Sequence, residues 1–255
     1  MRTAAALAFA VAVASALAEA HRRAPLVLLP LTLVAARPAV VAANPGDLDP
    51  SFGTGGIVTT TFFGTASGQS ANAHAVALQG DGKIVAAGQT APDLSLEPTF
   101  ALARYNADGS LDATFGTGGK VTTTFGTMGG DAHAVALQRD GKIIAAGNTS
   151  AGSQYVFALA RYNADGNLDA TFGTGGTVTT AFGSAVESDS ANAVVLQADG
   201  KIVAAGSAQI GTQSFAFGLA RYNPDGSLDM TFATSGKTTA AFGGGLDSDA
   251  AAVVL

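Results

Sequence analysis

Four short stretches with the pattern of β-strands recur in the same order along the chain. In the first copy, Ala73–Gln79 alternates in polarity, so that Val76 and Leu78 share one face. Gly80-Asp81-Gly82 predicts a tight turn into a returning strand at Lys83–Gly88, because Asp-Gly between apolar stretches favours hairpins. Each unit is therefore predicted to begin with an antiparallel pair.

Two further strands complete the predicted unit. Phe100–Asn106 is apolar and is followed by a turn at Ala107-Asp108-Gly109-Ser110. The fourth strand is predicted at Lys120–Phe125, where a run of threonines favours a pleated surface. Outside the leader, 1–43, no segment has a convincing helical period. The pattern indicates an all-β chain.

The unit recurs at a fixed spacing. Lys83, Lys142 and Lys201 of the Asp-Gly-Lys-Ile motif follow one another at equal intervals. Such a period indicates stacked supersecondary units, none of which buries its apolar face alone. We place the units at about 73–126, 132–183 and 191–243, with a truncated unit from 250, inside a repeat region spanning 44–255.

Both faces of the predicted strands are small or apolar. On 83–88, Ile84 and Ala86 face one way, whereas Val85 and Ala87 face the other. Such sheets must be covered on both sides, as four-stranded antiparallel blades are in a β-propeller. With one further strand at 57–62 and one at the end, we count fourteen strands. We therefore expect an incomplete propeller of about three and a half repeats, a fragment of a longer ring.

The connections between strands vary more than the strands do. The segments between the second and third strands differ in length and composition from unit to unit, and so do the segments that join one unit to the next. Loops on a rigid scaffold often carry binding residues, so we expect them there. The segments are Gln89–Thr99, Asn148–Val156 and Ser207–Ala216, and then Thr65–Asn72, Thr127–Asp131 and Ser184–Ser190.

These linked motifs resemble one known family. Asp-Gly-Lys-Ile-Val-Ala-Ala-Gly at 81–88 and Phe-Ala-Leu-Ala-Arg-Tyr-Asn at 100–106, followed by Leu-Asp-Ala-Thr-Phe-Gly-Thr-Gly-Gly-Lys-Val-Thr-Thr, are similar to the delta-60 repeat. The resemblance extends over about Gly46–Leu255. It implies a bacterial β-propeller protein that is secreted or surface-associated, and it implies no cofactor and no enzymatic activity.

The leader is predicted to be an export signal. An uncharged run, Thr3–Ala18, follows Arg2, and a second apolar run, Ala24–Ala43, ends in small residues. We expect cleavage just before Asn44. The alternative is an uncleaved membrane anchor, which Arg37 and three prolines in the second run disfavour. We expect no stable membrane insertion once the leader is removed.

Composition limits the function classes further. The chain has no cysteine, which excludes disulfides and thiolate metal sites, and its formal net charge is −6. Without the leader, nine basic and 18 acidic side chains leave a net charge of −9. Because the basic residues are scattered singly, nucleic acid is not an expected partner.

The turn after the third strand has some features of a calcium loop. Asparagine and aspartate stand at alternate positions around a glycine, although an arginine occupies the first ligand position in every copy. The alternative is an ordinary turn in which these side chains bond to their own backbone. The residues concerned are Asn106, Asp108, Asp112, Asn163, Asp165, Asp169, Asn223, Asp225 and Asp229.

The repeated arginine is predicted to be structural. Arg104, Arg161 and Arg221 lie on the apolar face of each third strand, and an isolated charge there would be very costly. The acid of the Leu-Asp pair that follows in the same unit is the expected partner of each. Because the pair recurs identically, we interpret it as part of the scaffold and not as catalytic.

No catalytic or cofactor-binding constellation is predicted. His74 and His133 occupy equivalent positions, but Asn192 replaces them in the third unit, which argues against a general base. One histidine per unit, far apart in sequence, is also a weak metal pattern. Phe115–Lys120 lacks the serine or threonine and the following helix of a phosphate-binding loop.

The function expected from the sequence is that of a secreted or surface scaffold that binds an unidentified protein or carbohydrate. A calcium- or sugar-binding adhesion module and a propeller lyase or hydrolase are the alternatives. An enzyme would use acids that differ between units, and these are Asp93, Glu97, Asp131, Glu187, Asp189 and Asp247. Self-association through an open blade edge is also expected.

Overall fold

The computed structural model describes residues 46–63, 69–93, 96–126, 129–183, 188–211, 214–241 and 250–252. This part of the chain contains twelve strands and no helix, so the all-β prediction is confirmed for it. The strands are β1 (Ser70–Leu78), β2 (Ile84–Ala91), β3 (Thr99–Tyr105), β4 (Lys120–Thr123), β5 (Gly130–Leu137), β6 (Ile143–Ala151), β7 (Gln154–Tyr162), β8 (Thr177–Thr180), β9 (Ser190–Leu196), β10 (Ile202–Gly211), β11 (Ser214–Tyr222) and β12 (Lys237–Ala240).

The strands form three four-stranded antiparallel sheets, each in sequence order. We call β1–β4 blade 1, β5–β8 blade 2 and β9–β12 blade 3. In blade 1, Leu78 lies opposite Ile84, and Gly82 closes the hairpin with a φ of 85°. The carboxylate of Asp81 accepts a hydrogen bond of 3.1 Å from the Lys83 backbone N–H. The predicted hairpin is confirmed.

The blades stack face to face. Strand β5 packs against β1, β2 and β3, and β9 packs against β5, β6 and β7. Between blades 1 and 2, the buried Phe100 and Leu102 share one core with Ile143 and Tyr162. Between blades 2 and 3, equivalent residues form a second core. Blade 2 therefore buries apolar residues on both of its faces, as predicted for propeller blades.

Each first strand carries a β-bulge at one equivalent position. The pairing register skips His74, His133 and Asn192, which are the extra residues of their strands. Opposite the bulge of blade 2 stands Gly147, where a Cβ atom would lie 1.8 Å from the carbonyl oxygen of Asp131. Only glycine fits so close an approach, which explains the glycine that ends each Ala-Ala-Gly motif.

In blades 2 and 3, the prediction of long loops between the second and third strands is wrong, because the strands continue through most of these segments. Strands β6 and β7 pair as far as Ala151 and Gln154, and β10 and β11 pair as far as Gly211 and Ser214. The segments 148–156 and 207–216 are therefore mostly strand. In blade 1, pairing ends at Thr90 and Thr99, inside the predicted loop 89–99. Pro92 lies just after β2 and Pro98 lies just before β3. Proline has no backbone N–H group, so it cannot donate a hydrogen bond to a neighbouring strand.

The predicted first strand at 57–62 is also corrected. Within the described chain, its only pairing is an isolated bridge between Ile57 and Thr54. The segment still lies against blade 1, because the Tyr105 hydroxyl donates to Thr60 Oγ1 at 2.8 Å. Tyr162 makes the same bond of 2.9 Å to Thr123 of β4. Residues 57–62 thus take the place of a fourth strand, but no third strand among the described residues pairs with them.

Two predictions concern the ends of the chain. The leader, residues 1–43, lies outside the described residues, as do 253–255 of the predicted last strand. Residues 250–252 form no strand, so the described chain has twelve strands where fourteen were predicted. Among the described residues there is no helix with the length and hydropathy needed to cross a membrane.

Candidate functional site

The repeated arginine lies against the repeated acid of its own unit. In blade 1, Arg104 Nε is 2.8 Å from Asp112 Oδ2, and both side chains are almost completely buried. The guanidinium also lies over the Phe115 ring, 4.5 Å from its centroid. Blades 2 and 3 repeat the pairing at 2.9 and 2.7 Å. In blade 2 the Arg161 Nε–H is not aligned for a hydrogen bond, so that contact is an ion pair only.

The same arginine also joins consecutive blades. Arg104 Nη1 donates to the carbonyl oxygen of Ala164 in blade 2 at 2.6 Å, and Arg161 makes the equivalent bond to Pro224 in blade 3. Nearby, the Gly116 N–H donates to the carbonyl oxygen of Asp165 at 2.7 Å. The arginine therefore fixes the turn of the next unit as well as its own.

Arg221, in blade 3, has only part of this environment. It keeps its bonds to Asp229 and Thr231, but its side chain is 21% exposed, against 6% for Arg104 and 8% for Arg161. The difference matches its position, because no later turn within the described residues covers it.

The electrostatics of the pair keep the acid ionised. Burial alone would raise the pKa of Asp112, but Lys83, Thr114 and Arg104 outweigh it and hold that pKa well below its usual range. Lys83 Nζ lies 2.9 Å from Asp112 Oδ2, and Lys201 contacts Asp229 in the same way at 3.1 Å. In blade 2, Lys142 instead contacts Asp140 at 2.9 Å.

The residues of the possible calcium turns fall into two separate environments. Asp108 is exposed, and its Oδ1 accepts from the backbone N–H and the hydroxyl of Ser110 at 2.9 and 2.6 Å. Asn106 donates to the same Ser110 hydroxyl at 3.0 Å, whereas Asp112 faces Arg104. In the part of the chain that the structure describes, no group of three or more His, Asp or Glu side chains has an arrangement that could hold a metal ion.

The structure brings together two histidines that belong to different units of the sequence. The ring centroids of His74 and His133 are 5.4 Å apart, and Asp131 lies beside both. His74 Nε2 is 3.3 Å from Asp131 Oδ1, and His133 Nε2 is 3.9 Å from Oδ2. We call these three residues the His–Asp–His cluster. Burial raises the pKa of Asp131, and the attraction of His133 and His74 only partly offsets this.

The cluster continues into blade 3 through neutral groups. Asn148 Nδ2 lies 3.2 Å from His133 Nε2 and donates to Ser190 Oγ at 3.3 Å. Ser190 in turn donates to Asn192 at 3.0 Å. Sequence reasoning had discounted these histidines because they are far apart in the chain. The signal that could have found them is the repeat itself, which places equivalent bulge residues on adjacent first strands.

Asp189 is another of the acids that differ between units. Asp189 is fully buried, and its carboxylate accepts from the backbone N–H groups of Gln209 at 2.8 Å and Phe182 at 3.1 Å. Asp189 therefore links strand β10 to the segment that follows β8. Glu97 is exposed and Asp93 is partly buried in the connection between β2 and β3, whereas Glu187 and Asp247 lie outside the described residues.

Comparison with known families agrees with this architecture. Residues 79–115, 138–172 and 197–232 each match the model of a family described as a domain of unknown function (DUF5122) beta-propeller. Each of the three matched segments is a repeat of this β-propeller family. Each match runs from the first hairpin of a unit to the phenylalanine beside the arginine, so the resemblance to the delta-60 repeat is confirmed at the level of family. No curated protein matches the chain.

Proposed function

We propose that this β-propeller repeat protein acts outside the cytoplasm as a structural or binding scaffold and has no catalytic role. The observation that carries the proposal is the position of the charged residues that recur in every unit. Arg104 and Asp112, like their equivalents, are buried in the junction between units. The residues that recur most regularly therefore hold the blades together.

Export is supported by the leader pattern alone. Arg2 precedes an apolar run, and a second run ends in Val41-Ala42-Ala43, which is typical of a cleavable signal. The proposal covers a protein that is secreted, held on the cell surface or kept in the periplasm, since each of these begins with export.

A protein or carbohydrate ligand is the partner we propose. Large apolar side chains are exposed at the ends of the blades where the second and third strands meet. Leu96 lies in the β2–β3 connection, Tyr155 in β7 and Ile210 in β10, and they are 53%, 42% and 45% exposed. Since consecutive blades stack in register, these side chains lie at corresponding ends of the sheets. Exposed apolar side chains grouped on a rigid scaffold are typical of binding surfaces.

Binding of the purified full chain to intact cells and to isolated cell envelopes tests the proposal. We expect saturable binding by the folded protein, loss of binding after thermal unfolding, and no release of cleaved product. Binding that does not saturate, or turnover of the bound material, would contradict a non-catalytic scaffold.

The His–Asp–His cluster favours one second candidate, a propeller lyase or hydrolase. A half-buried carboxyl with a raised pKa beside two imidazoles has the composition of a general acid–base pair. This candidate requires that Asp131→Asn abolish turnover of an envelope polysaccharide while binding persists. If no turnover occurs in the parent, the candidate fails.

We also propose that the chain associates with a second copy through blade 1. Val76 and Leu78 are 69% and 70% exposed, whereas their equivalents Val135 and Leu137 pack into the core between blades 1 and 2. Apolar side chains of the kind that pack against a neighbouring blade at a junction are thus exposed on blade 1, where a second copy would cover them.

A further inference from the structure

Within the part of the chain that the structure describes, three equivalent grooves lie at the junctions between consecutive units. We call them the junction grooves. Their volumes are about 460, 540 and 580 Å³, within the range of small-molecule sites. The first is lined by Thr54, Val58, Thr59 and Gly109, the second by Phe62, Thr117, Lys120, Val121, Thr122 and Asn167, and the third by Phe125, Thr174, Thr177, Val178, Thr179 and Asp225.

The grooves are preformed because the repeat fixes both of their sides. In the second groove, the loop at Gly116 is tied to the next unit by its hydrogen bond to the carbonyl oxygen of Asp165. A Cβ atom at Gly166 would lie 2.8 Å from the Gly116 nitrogen, so the turn cannot move closer. The third groove has an equally close approach, since a Cβ atom at Gly226 would lie 2.9 Å from the Gly173 nitrogen. A ligand would therefore meet a site of fixed width.

The side chains that recur in the grooves are neutral. Each groove has an exposed threonine in the loop and another on the outer segment or strand, and each has a valine between them. The second also has a phenyl group, Phe62, supplied by the preceding unit, whereas Phe125 beside the third groove is almost completely buried against Phe100. The charged residues differ, since Lys120 lines one groove and Asp225 lines another.

This set of groups selects a ligand class. Threonine hydroxyls both donate and accept hydrogen bonds, and valine and phenyl groups offer apolar surface. A sugar ring presents hydroxyl groups at its rim and C–H groups on its faces, so it uses both. A ligand chosen by charge would bind the grooves unequally, because only the neutral groups are common to all of them.

We propose that the junction grooves bind neutral sugar residues of a glycan, one site per junction. The inference rests on the proposed scaffold function and names its ligand. A glycan long enough to reach several junctions would gain avidity of about 10²–10⁴-fold over a single site. Weak individual sites on a repeated frame would then suffice for attachment.

Biolayer interferometry with immobilised neutral polysaccharides, namely a glucan, a mannan and a galactan, tests this inference on the full chain. The blocking variant is Thr122→Trp with Thr179→Trp, since both threonines are exposed. Met230→Trp is the control, because Met230 is 66% exposed and stands outside the groove linings. We expect one polysaccharide to bind the parent and the control equally, and the blocking variant to lose at least tenfold in apparent affinity.

A second variant, Thr122→Ala with Thr179→Ala, removes the hydroxyls without adding bulk and covers the case in which the tryptophan variant does not fold. It should weaken binding to a smaller extent. The inference is overturned if the parent binds none of the three polysaccharides, or if both double variants bind as the parent does. If the groove variants still bind cell envelopes as the parent does, the grooves are not the glycan sites, but the proposed scaffold function is not contradicted.

Discussion

Arg104 of blade 1 donates a hydrogen bond of 2.6 Å to the carbonyl oxygen of Ala164, which stands in the turn of blade 2. The same guanidinium pairs with Asp112 of its own unit. One side chain thus ties its own turn and the next blade together. This explains why every complete unit carries the arginine.

Arg161→Ala should destabilise the protein more than Arg221→Ala. Arg161 is buried and bonds to the next blade, so its removal leaves Asp169 without its guanidinium partner, at a cost of about 3–5 kcal/mol. Arg221 is more exposed and has no later turn among the described residues, so its loss should cost less. Urea unfolding of both variants measures the difference. Equal losses would show that the bond between blades adds nothing.

Gly147→Ala should disrupt the bulge of β5. The added Cβ would lie 1.8 Å from the Asp131 carbonyl oxygen, so the backbone must shift, and we expect a loss of about 1–3 kcal/mol or more. Gly80→Ala is the control, because nothing lies within 4 Å of a Cβ there and its φ is not positive. Thermal unfolding should separate the two, and a Gly147→Ala midpoint as high as that of Gly80→Ala would contradict the tight approach.

Acidification should remove stability through the buried acids. The pKa of Asp112 and of Asp169 is lowered in the folded state, so their stabilising effect is present above the unfolded value and is lost as the pH falls below about 4. Asp112→Asn should lower stability at pH 7 and flatten the loss between pH 4 and 2. Chemical unfolding across this range measures both effects.

Asp131→Asn is a control for this prediction, because we expect it not to lower stability at pH 7. The pKa of Asp131 is raised, so ionisation opposes folding as the pH rises through its folded-state value. The variant should therefore be at least as stable as the parent at pH 7, and the two should converge in acid. A marked loss of stability at pH 7 would mean that the ionised cluster holds blades 1 and 2 together.

Self-association should depend on the open face of blade 1. Val76→Lys with Leu78→Lys places charge on that face and should make the protein monomeric. Because association would bury the apolar face at Val76 and Leu78, the mean size of the parent should rise with concentration. Sedimentation velocity on the parent, the double variant and Met230→Lys measures this, and association that persists in the double variant would place the contact elsewhere.

The mature chain should begin at Asn44. N-terminal sequencing of protein from the culture medium or the periplasm checks the leader assignment, which rests on sequence alone. A protein that starts at Met1 and stays in the membrane fraction would favour an anchor.

The twelve strands of the blades and their stacking could be predicted from the order of the amino acids. The constant spacing of the repeat, the Asp-Gly turns and the alternation on both faces are visible in the chain itself, and they predict the four strands of each blade closely. Strand ends were less predictable. Whether pairing continues to Ala151 and Gln154 depends on the partner strand, and whether 57–62 forms a strand depends on a neighbour that pairs with it.

Which side chains meet across a junction depends on how the blades pack. The bond from Arg104 to Ala164 and the contact of His74 with His133 both cross a junction between blades. Such contacts depend on the rotation and rise from one blade to the next, quantities that a one-dimensional pattern does not contain. The repeat therefore specified what every unit is made of, whereas the junctions, which give the protein its buried ion pairs, its His–Asp–His cluster and its grooves, arise when equivalent positions are packed against one another.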